Sequence, residues 1–165
     1  MTASDDFTPA AKADVLQTAY EKAIQMAATG DVKALRVLPQ LDKIINRADD
    51  EGWTLLMWAA ATSQHETAQF LLGRGAKMDH QGKKGETALI CAAETADEKI
   101  MALLLNAGAR LDLKSNKGQS AFDILKTLGE DTLADTLNER MAKQAVKLDH
   151  GIAVRSPLVL RKRNP

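Results

Sequence analysis

Gly52-Trp53-Thr54-Leu55-Leu56-Met57-Trp58-Ala59-Ala60 returns 33 residues later as Gly85-Glu86-Thr87-Ala88-Leu89-Ile90-Cys91-Ala92-Ala93. A fainter copy, Gly118-Gln119-Ser120-Ala121-Phe122, follows after another 33. A second block keeps the same step: Phe70-Leu71-Leu72 with Gly75-Ala76 matches Leu103-Leu104-Leu105 with Gly108-Ala109. Two separate blocks sharing one period mark a repeat array, in which each unit buries its apolar face against its neighbour. One period upstream, Ala27 and Gly30 correspond to Ala60 and Ser63, and Leu35, Val37 and Leu38 to Ala68, Phe70 and Leu71, which makes a degenerate first unit.

Within a unit the local signals spell helix, turn, helix, loop. Thr54, Thr87 and Ser120 each stand between a Gly-containing turn and an apolar run, where a hydroxyl caps the orphan amides of a first helix. Ala59-Ala60 and Ala92-Ala93 keep that helix thin, and Leu71-Leu72 and Leu104-Leu105 supply the apolar face of a second helix packed on it. Gly75 and Gly108 stand where a left-handed stop is needed. Residues 77–86 and 110–119, polar and glycine-containing, read as turns projecting between units.

With these motifs in place, the sequence resembles the ankyrin repeat family, whose signature is Gly-x-Thr-Pro-Leu-His-x-Ala-Ala followed by Leu-Leu and Gly-Ala-x-x-Asn. The resemblance implies an all-α ankyrin-repeat solenoid of about four helix-turn-helix units, two clear and two degenerate caps, with short projecting turns. The array covers residues 19–139, in units near 19–51, 52–84, 85–117 and 118–139, after an N-terminal capping extension, 1–18, and before a basic tail, 140–165. The motif Pro is replaced by Leu55, Ala88 or Ala121 and the motif His by Met57, Ile90 or Asp123, which predicts modest stability.

Both ends carry adapted sequence. Thr8-Pro9 followed by Val15, Leu16, Ala19, Tyr20, Ala23, Ile24 and Ala27 predicts one capping helix from about 9 to 28. Leu125, Leu128, Leu133, Leu137 and Met141, interleaved with acids, predict an amphipathic terminal unit. Past Gln144 the pattern dissolves into Ile152-Ala153-Val154, Ser156-Pro157, Leu158-Val159-Leu160 and Arg161-Lys162-Arg163, read either as a disordered terminus or as an extended docking segment.

The 165 residues hold 22 cations and 22 anions, so no global field drives binding to nucleic acid or membrane. The charge is segregated, however: from Arg140 onward there are seven cations against Asp149 alone. A second, tail-mediated reading follows, with Arg155, Arg161, Lys162 and Arg163 binding nucleic acid or anionic membrane, although the tail lacks aromatic stacking residues and adjoins an acidic body. The lone Cys91 excludes an internal disulfide and suits a reducing, cytoplasmic setting, reached with no export signal or spanning helix in view; delivery as a secreted effector stays open.

Signals for chemistry are weak. His65, His80 and His150 lack metal-site spacing, Gly82-Lys83-Lys84-Gly85 lacks the spacing of a phosphate loop, and Cys91 reads as a packed thiol. The expectation is a non-catalytic, monomeric protein-interaction module with no cofactor and no metal. By resemblance, its concave partner-binding face comprises Asp50, Glu51, Trp53, Ala61 and Thr62, then Lys83, Lys84, Glu86, Glu94 and Thr95, then Asn116, Lys117, Gln119, Thr127 and Leu128. Trp53 either contacts a ligand there or packs on the turn before it, whereas Trp58, matched by Cys91, is expected in the core.

Overall fold

The computed structural model describes residues 9–149, with side chains from 14 to 140. Among the described residues all regular structure is helical. The helices are α1 (Pro9–Thr29), α2 (Val32–Val37), α3 (Leu41–Ile44), α4 (Leu55–Ala61), α5 (His65–Gly73), α6 (Ala88–Glu94), α7 (Glu98–Ala107), α8 (Ala121–Leu128) and α9 (Asp131–Asp149). They form two rows. The inner row runs α1, α4, α6, α8, and each member carries an antiparallel partner, α2, α5, α7 or α9, on its outer side.

Each inner helix after α1 starts at the expected hydroxyl. Thr54 accepts from the Met57 amide, Thr87 from Ile90 and Ser120 from Asp123, whose carboxylate reaches back to the Ser120 amide in a closed capping box. Ala59, Ala60, Ala92 and Ala93 are fully buried, which lets α4, α6 and α8 approach closely along the row. Leu55, Leu56, Met57, Leu89, Ile90, Leu104 and Leu125 fill the space between the rows. Full burial of one such side chain contributes about 2 kcal/mol.

The first unit joins the array through Tyr20, the residue 33 before Trp53. It is buried, and its hydroxyl lies 3.0 Å from the carbonyl oxygens of Arg47 and Trp53, able to donate to one at a time. In the outer row Asn46, Asp79 and Asp112 share the 33-residue step. Asn46 accepts from the Lys77 amide and donates to the Gly75 carbonyl, and Asp79 accepts from the Arg110 amide, so each side chain clamps the start of the next loop.

Several details differ from the sequence reading. Val37 is 79% exposed because α2 ends there, two residues before Pro39. Trp58 is only half-buried, its indole nitrogen reaching Asp49, whereas Cys91 at the same place in the next unit is fully buried. The α5 helix closes on Arg74, with Gly75 taking the left-handed step just after it. Helix α9 runs through the expected tail boundary at 140 as far as Asp149, since Ala142, Lys143, Gln144, Ala145 and Lys147 are good helix formers. The Thr8 cap, the Met141 side chain and the tail residues 150–165 lie outside the described residues.

Candidate protein-interaction face

Three turns of one construction project from the N-terminal ends of α4, α6 and α8. In each, a first amide donates to a carbonyl four residues on: Asp49 to Trp53, Gly82 to Glu86 and Ser115 to Gln119. The Gly52, Gly85 and Gly118 amides then close the tips on the carbonyls of Asp49, Gly82 and Ser115. Neighbouring tips are laddered. The Lys83 amide donates to the Glu51 carbonyl at 2.9 Å, and the Asn116 amide to the Lys84 carbonyl at 2.7 Å.

Two glycines make that ladder possible. Gly52 has φ 82° and Gly85 φ 77°, and a Cβ on either would come within 2.8 Å of the next tip's backbone nitrogen, Lys83 or Asn116. Side chains add further ties. The Asn116 amide group donates to the Lys83 carbonyl, Gln81 donates to the carbonyls of Gly85 and Lys114, and a His80 ring nitrogen lies 3.0 Å from the Gly52 carbonyl.

On this framework the expected face residues divide into three groups. Asp50, Glu51, Lys83, Lys84 and Lys117 are exposed at the tips, and Lys84 lies 3.9 Å from Glu51. Thr62, Glu94, Thr95, Thr127 and Leu128 line the far ends of the inner helices, with Ala61 and Thr62 half-buried and Leu128 52% exposed. The threonine hydroxyls there donate to the preceding helical turn, Thr62 to the Trp58 carbonyl and Thr127 to that of Asp123. Asn116 and Gln119 serve the turns themselves, Asn116 through its ladder bonds and Gln119 through its carbonyl.

Trp53 and Glu86 form the third group. Trp53 is half-buried against Trp58, with ring centroids 5.0 Å apart and planes tilted by 59°. Glu86 departs from the surface position expected of it: it is 9% exposed, and its Oε2 lies beside Gly82, which Trp53 and Met57 also approach. Its Oε2 is buried without a hydrogen-bond partner among the described residues. Below it Cys91 is fully buried; burial, reinforced by the charges of Glu94 and Glu86, pushes its thiol up to about 12.

Asp49, not singled out from the sequence, organises the Trp pair. One carboxylate oxygen accepts from the Trp53 and Glu51 amides, the other from the Trp58 indole nitrogen at 2.8 Å. Its signal was faint because the position is not repeated: Gly82 and Ser115 occupy it in the next two turns. Asn46 and Asp79 go unmarked in the sequence reading as well, although each falls on the 33-residue step, and Tyr20, placed there in the capping helix, gives no sign of its link to Arg47 and Trp53.

Known proteins share this pattern. A model of ankyrin repeats in three copies matches residues 8–82, and one of the single ankyrin repeat matches residues 84–116. The chain belongs to the ankyrin repeat family. Ankyrin repeat family A protein 2 of Homo sapiens and that of Mus musculus are each 42% identical to it over 59 residues, 36% of this chain and 19% of the relative. DNA-binding protein RFXANK of Homo sapiens is 42% identical over 53 residues, 32% of this chain and 20% of the relative. The matched stretch is thus about one fifth of the length of these relatives.

Ankyrin repeats are in general protein-interaction modules without catalytic chemistry. Among the described residues no group of three or more His, Cys, Asp or Glu side chains could hold a metal ion, and no described helix is long and apolar enough to cross a membrane. On the turn tips the described residues present exposed charges of both signs over backbone ordered by the ladder, beside the paired indoles of Trp53 and Trp58.

Proposed function

We propose that this chain is a small ankyrin-repeat adaptor or regulator that holds a partner protein, without catalysis, on the concave face made by its turn tips and inner helices. The single observation carrying this reading is the ladder from Glu51 to Lys83 and from Lys84 to Asn116. It fixes three tips at one spacing while leaving Asp50, Glu51, Lys83, Lys84 and Lys117 exposed, so a partner meets a surface whose ordering cost is already met. The module works as a monomer inside a reducing compartment, with no cofactor or metal. Residues 19–139 form the array, extended before residue 19 by the first half of α1 and after 139 by the rest of α9.

The test is affinity capture from the native lysate with the full chain and with a Glu51→Lys, Lys84→Glu, Lys117→Glu variant. These positions are exposed, so the variant keeps the wild-type melting temperature. A partner lost by the variant and kept by a chain ending at Asp149 supports the reading. A partner kept by the variant refutes it.

The name of the human relative described as DNA-binding favours one second reading, in which Arg155, Arg161, Lys162 and Arg163 of the tail bind nucleic acid. Salt-sensitive DNA binding by the full chain, abolished in the chain ending at Asp149, would be its signature. Anionic vesicles form the parallel arm.

A further inference from the structure

We propose that the row of turn tips selects a partner segment whose charge changes sign along its length, with a base over the first tip and acids over the second and third. The inference rests on the concave-face reading and names the partner chemistry that this face selects.

Charge changes along the row at fixed repeat positions. The 33-residue step relates Asp50 to Lys83 and Asn116, and Glu51 to Lys84 and Lys117. The backbone is the same at each tip, closed by the amide of Gly52, Gly85 or Gly118 on the carbonyl of Asp49, Gly82 or Ser115. All six side chains are exposed. The scaffold therefore accepts either sign at these two places, which leaves the order of signs free to serve recognition.

The ladder turns that order into geometry. The bonds from the Lys83 amide to the Glu51 carbonyl and from the Asn116 amide to the Lys84 carbonyl tie the first tip to the second and the second to the third. Asp49, held by Trp53, Glu51 and Trp58, puts another carboxylate at the first tip, and Lys114 is exposed beside the third. Acids at one end of the row thus give way to lysines over the rest of it.

Little within the array neutralises these charges. Lys84 lies 3.9 Å from Glu51 with both side chains largely exposed, which makes a weak pair. Asp50, Lys83 and Lys117 enter none of the ion pairs among the described residues. Lysines held on adjacent tips repel one another, and a partner carboxylate set over them relieves that repulsion. A base there would add to it, as would an acid over Asp50 and Glu51, so the sign order fixes the direction in which a segment lies. Nucleic acid is the weaker fit, because its phosphates carry one sign throughout and the carboxylates of the first tip oppose them.

The test uses the full chain labelled with 15N at about 20 mM salt, where surface charges are little screened. The peptide acetyl-Arg-Ser-Gly-Glu-Glu-Ser-Gly-Glu-Glu-amide is titrated while the amides of Asp50, Glu51, Lys83, Lys84 and Lys117 are followed. One control peptide carries Gln for every Glu, and another carries Glu for the Arg. The expected result is a saturable shift at all three tips by the first peptide, at least about tenfold weaker for the Gln control and about threefold weaker for the all-acidic one. Lys84→Gln with Lys117→Gln, at exposed positions that leave the melting temperature unchanged, weakens the first peptide at least about tenfold. Asp50→Asn with Glu51→Gln removes the preference for Arg over Glu at the peptide's first residue. Equal binding of the first peptide and its Gln control, binding of the all-acidic peptide as tight or tighter, or no saturable shift by about 5 mM peptide overturns the proposal. Shifts confined to residues 150–165 also overturn it, since the basic tail would then be the acceptor. So does a thymidine oligonucleotide that shifts the tip amides at lower concentration than the peptide, which would assign the lysines to nucleic acid.

Lysate capture separates this inference from the reading beneath it. A partner lost by the tip variant yet captured equally at about 50 mM and about 500 mM salt leaves the adaptor standing and removes the sign rule. Peptide selectivity as expected, in a chain whose captured partner ignores the tip variant, does the reverse.

Discussion

His65 and Asp97 join the outer helices of adjacent units: the imidazole Nε2 lies 2.9 Å from both Asp97 carboxylate oxygens, and the same carboxylate caps α7 by accepting from the Ile100 amide. One side chain thus ends a helix and ties two repeats. Burial pushes the Asp97 carboxyl up, but hydrogen bonds from the Ile100 amide, His65 and Ser63, together with the His65 charge, hold it below the ordinary carboxylate value of 3.8. A depressed folded-state value contributes stability that is complete above the unfolded value of about 4 and disappears as the pH falls through the folded one. Asp97→Asn keeps a capping side chain but loses the charge. Urea unfolding of the two proteins should differ most at neutral pH and converge once the pH falls below the folded-state value.

Ala96 takes φ 51° at the turn between α6 and α7, as its repeat-equivalent Ser63 does at 59°. A side chain in the left-handed region costs about 1–2 kcal/mol, from which glycine's greater unfolded-state freedom takes back about 0.5–1. Ala96→Gly should stabilise the protein by up to about 1 kcal/mol, read as a rise of a few degrees in Tm.

Gly85 and Gly118 share the left-handed backbone, at φ 77° and 75°, yet only Gly85 faces another tip. Gly118→Ala pays backbone strain of about 1–2 kcal/mol. Gly85→Ala pays that strain and also pushes Asn116 off the ladder, adding a lost hydrogen bond of about 1 kcal/mol. Chemical denaturation should rank Gly85→Ala as the more damaging, and equal losses would mean the ladder contributes nothing.

Tyr20→Phe removes the one hydroxyl that links the capping helix to the Arg47 and Trp53 carbonyls. Burial first, then the nearby Asp49 charge, pushes the Tyr20 hydroxyl up, with Arg47 pulling the other way, so it stays a donor throughout the physiological range. The variant should lose about 1–2 kcal/mol by urea unfolding.

Cys91, buried and with its thiol pushed up to about 12, should resist iodoacetamide at pH 8 in the native protein and react at the rate of a free thiol in urea. Rapid native labelling would show that the α6 layer opens far more often than its burial implies.

The repeat was legible because packing is periodic: alanines that keep inner helices thin, hydroxyls that cap them and leucines that face them recur wherever the geometry recurs. The face was less legible because it is built from exceptions. Asp49 has no counterpart at Gly82 or Ser115, and Glu86 is buried beside Gly82, where the first carbon of any side chain would stand 3.2 Å from its carboxylate. Trp58 and Cys91 share a repeat position, but a shared position does not specify a shared environment: Cys91 is fully buried, while the larger, half-buried Trp58 donates to Asp49. Pattern matching finds what the units have in common, while the character of a binding face lies in how they differ.

The fully buried Ala59, Ala60, Ala92 and Ala93 carry a mechanical consequence. The inner row is drawn tight by methyl groups, and its helices pack more closely along the row than the outer helices do, an inequality that curves a stack of repeats toward its inner side. The four alanines therefore act as the string of a bow. Ala60→Val or Ala93→Val lengthens the string by a methyl or two, flattens the arc, and changes the span between the outermost tips without altering any residue on them.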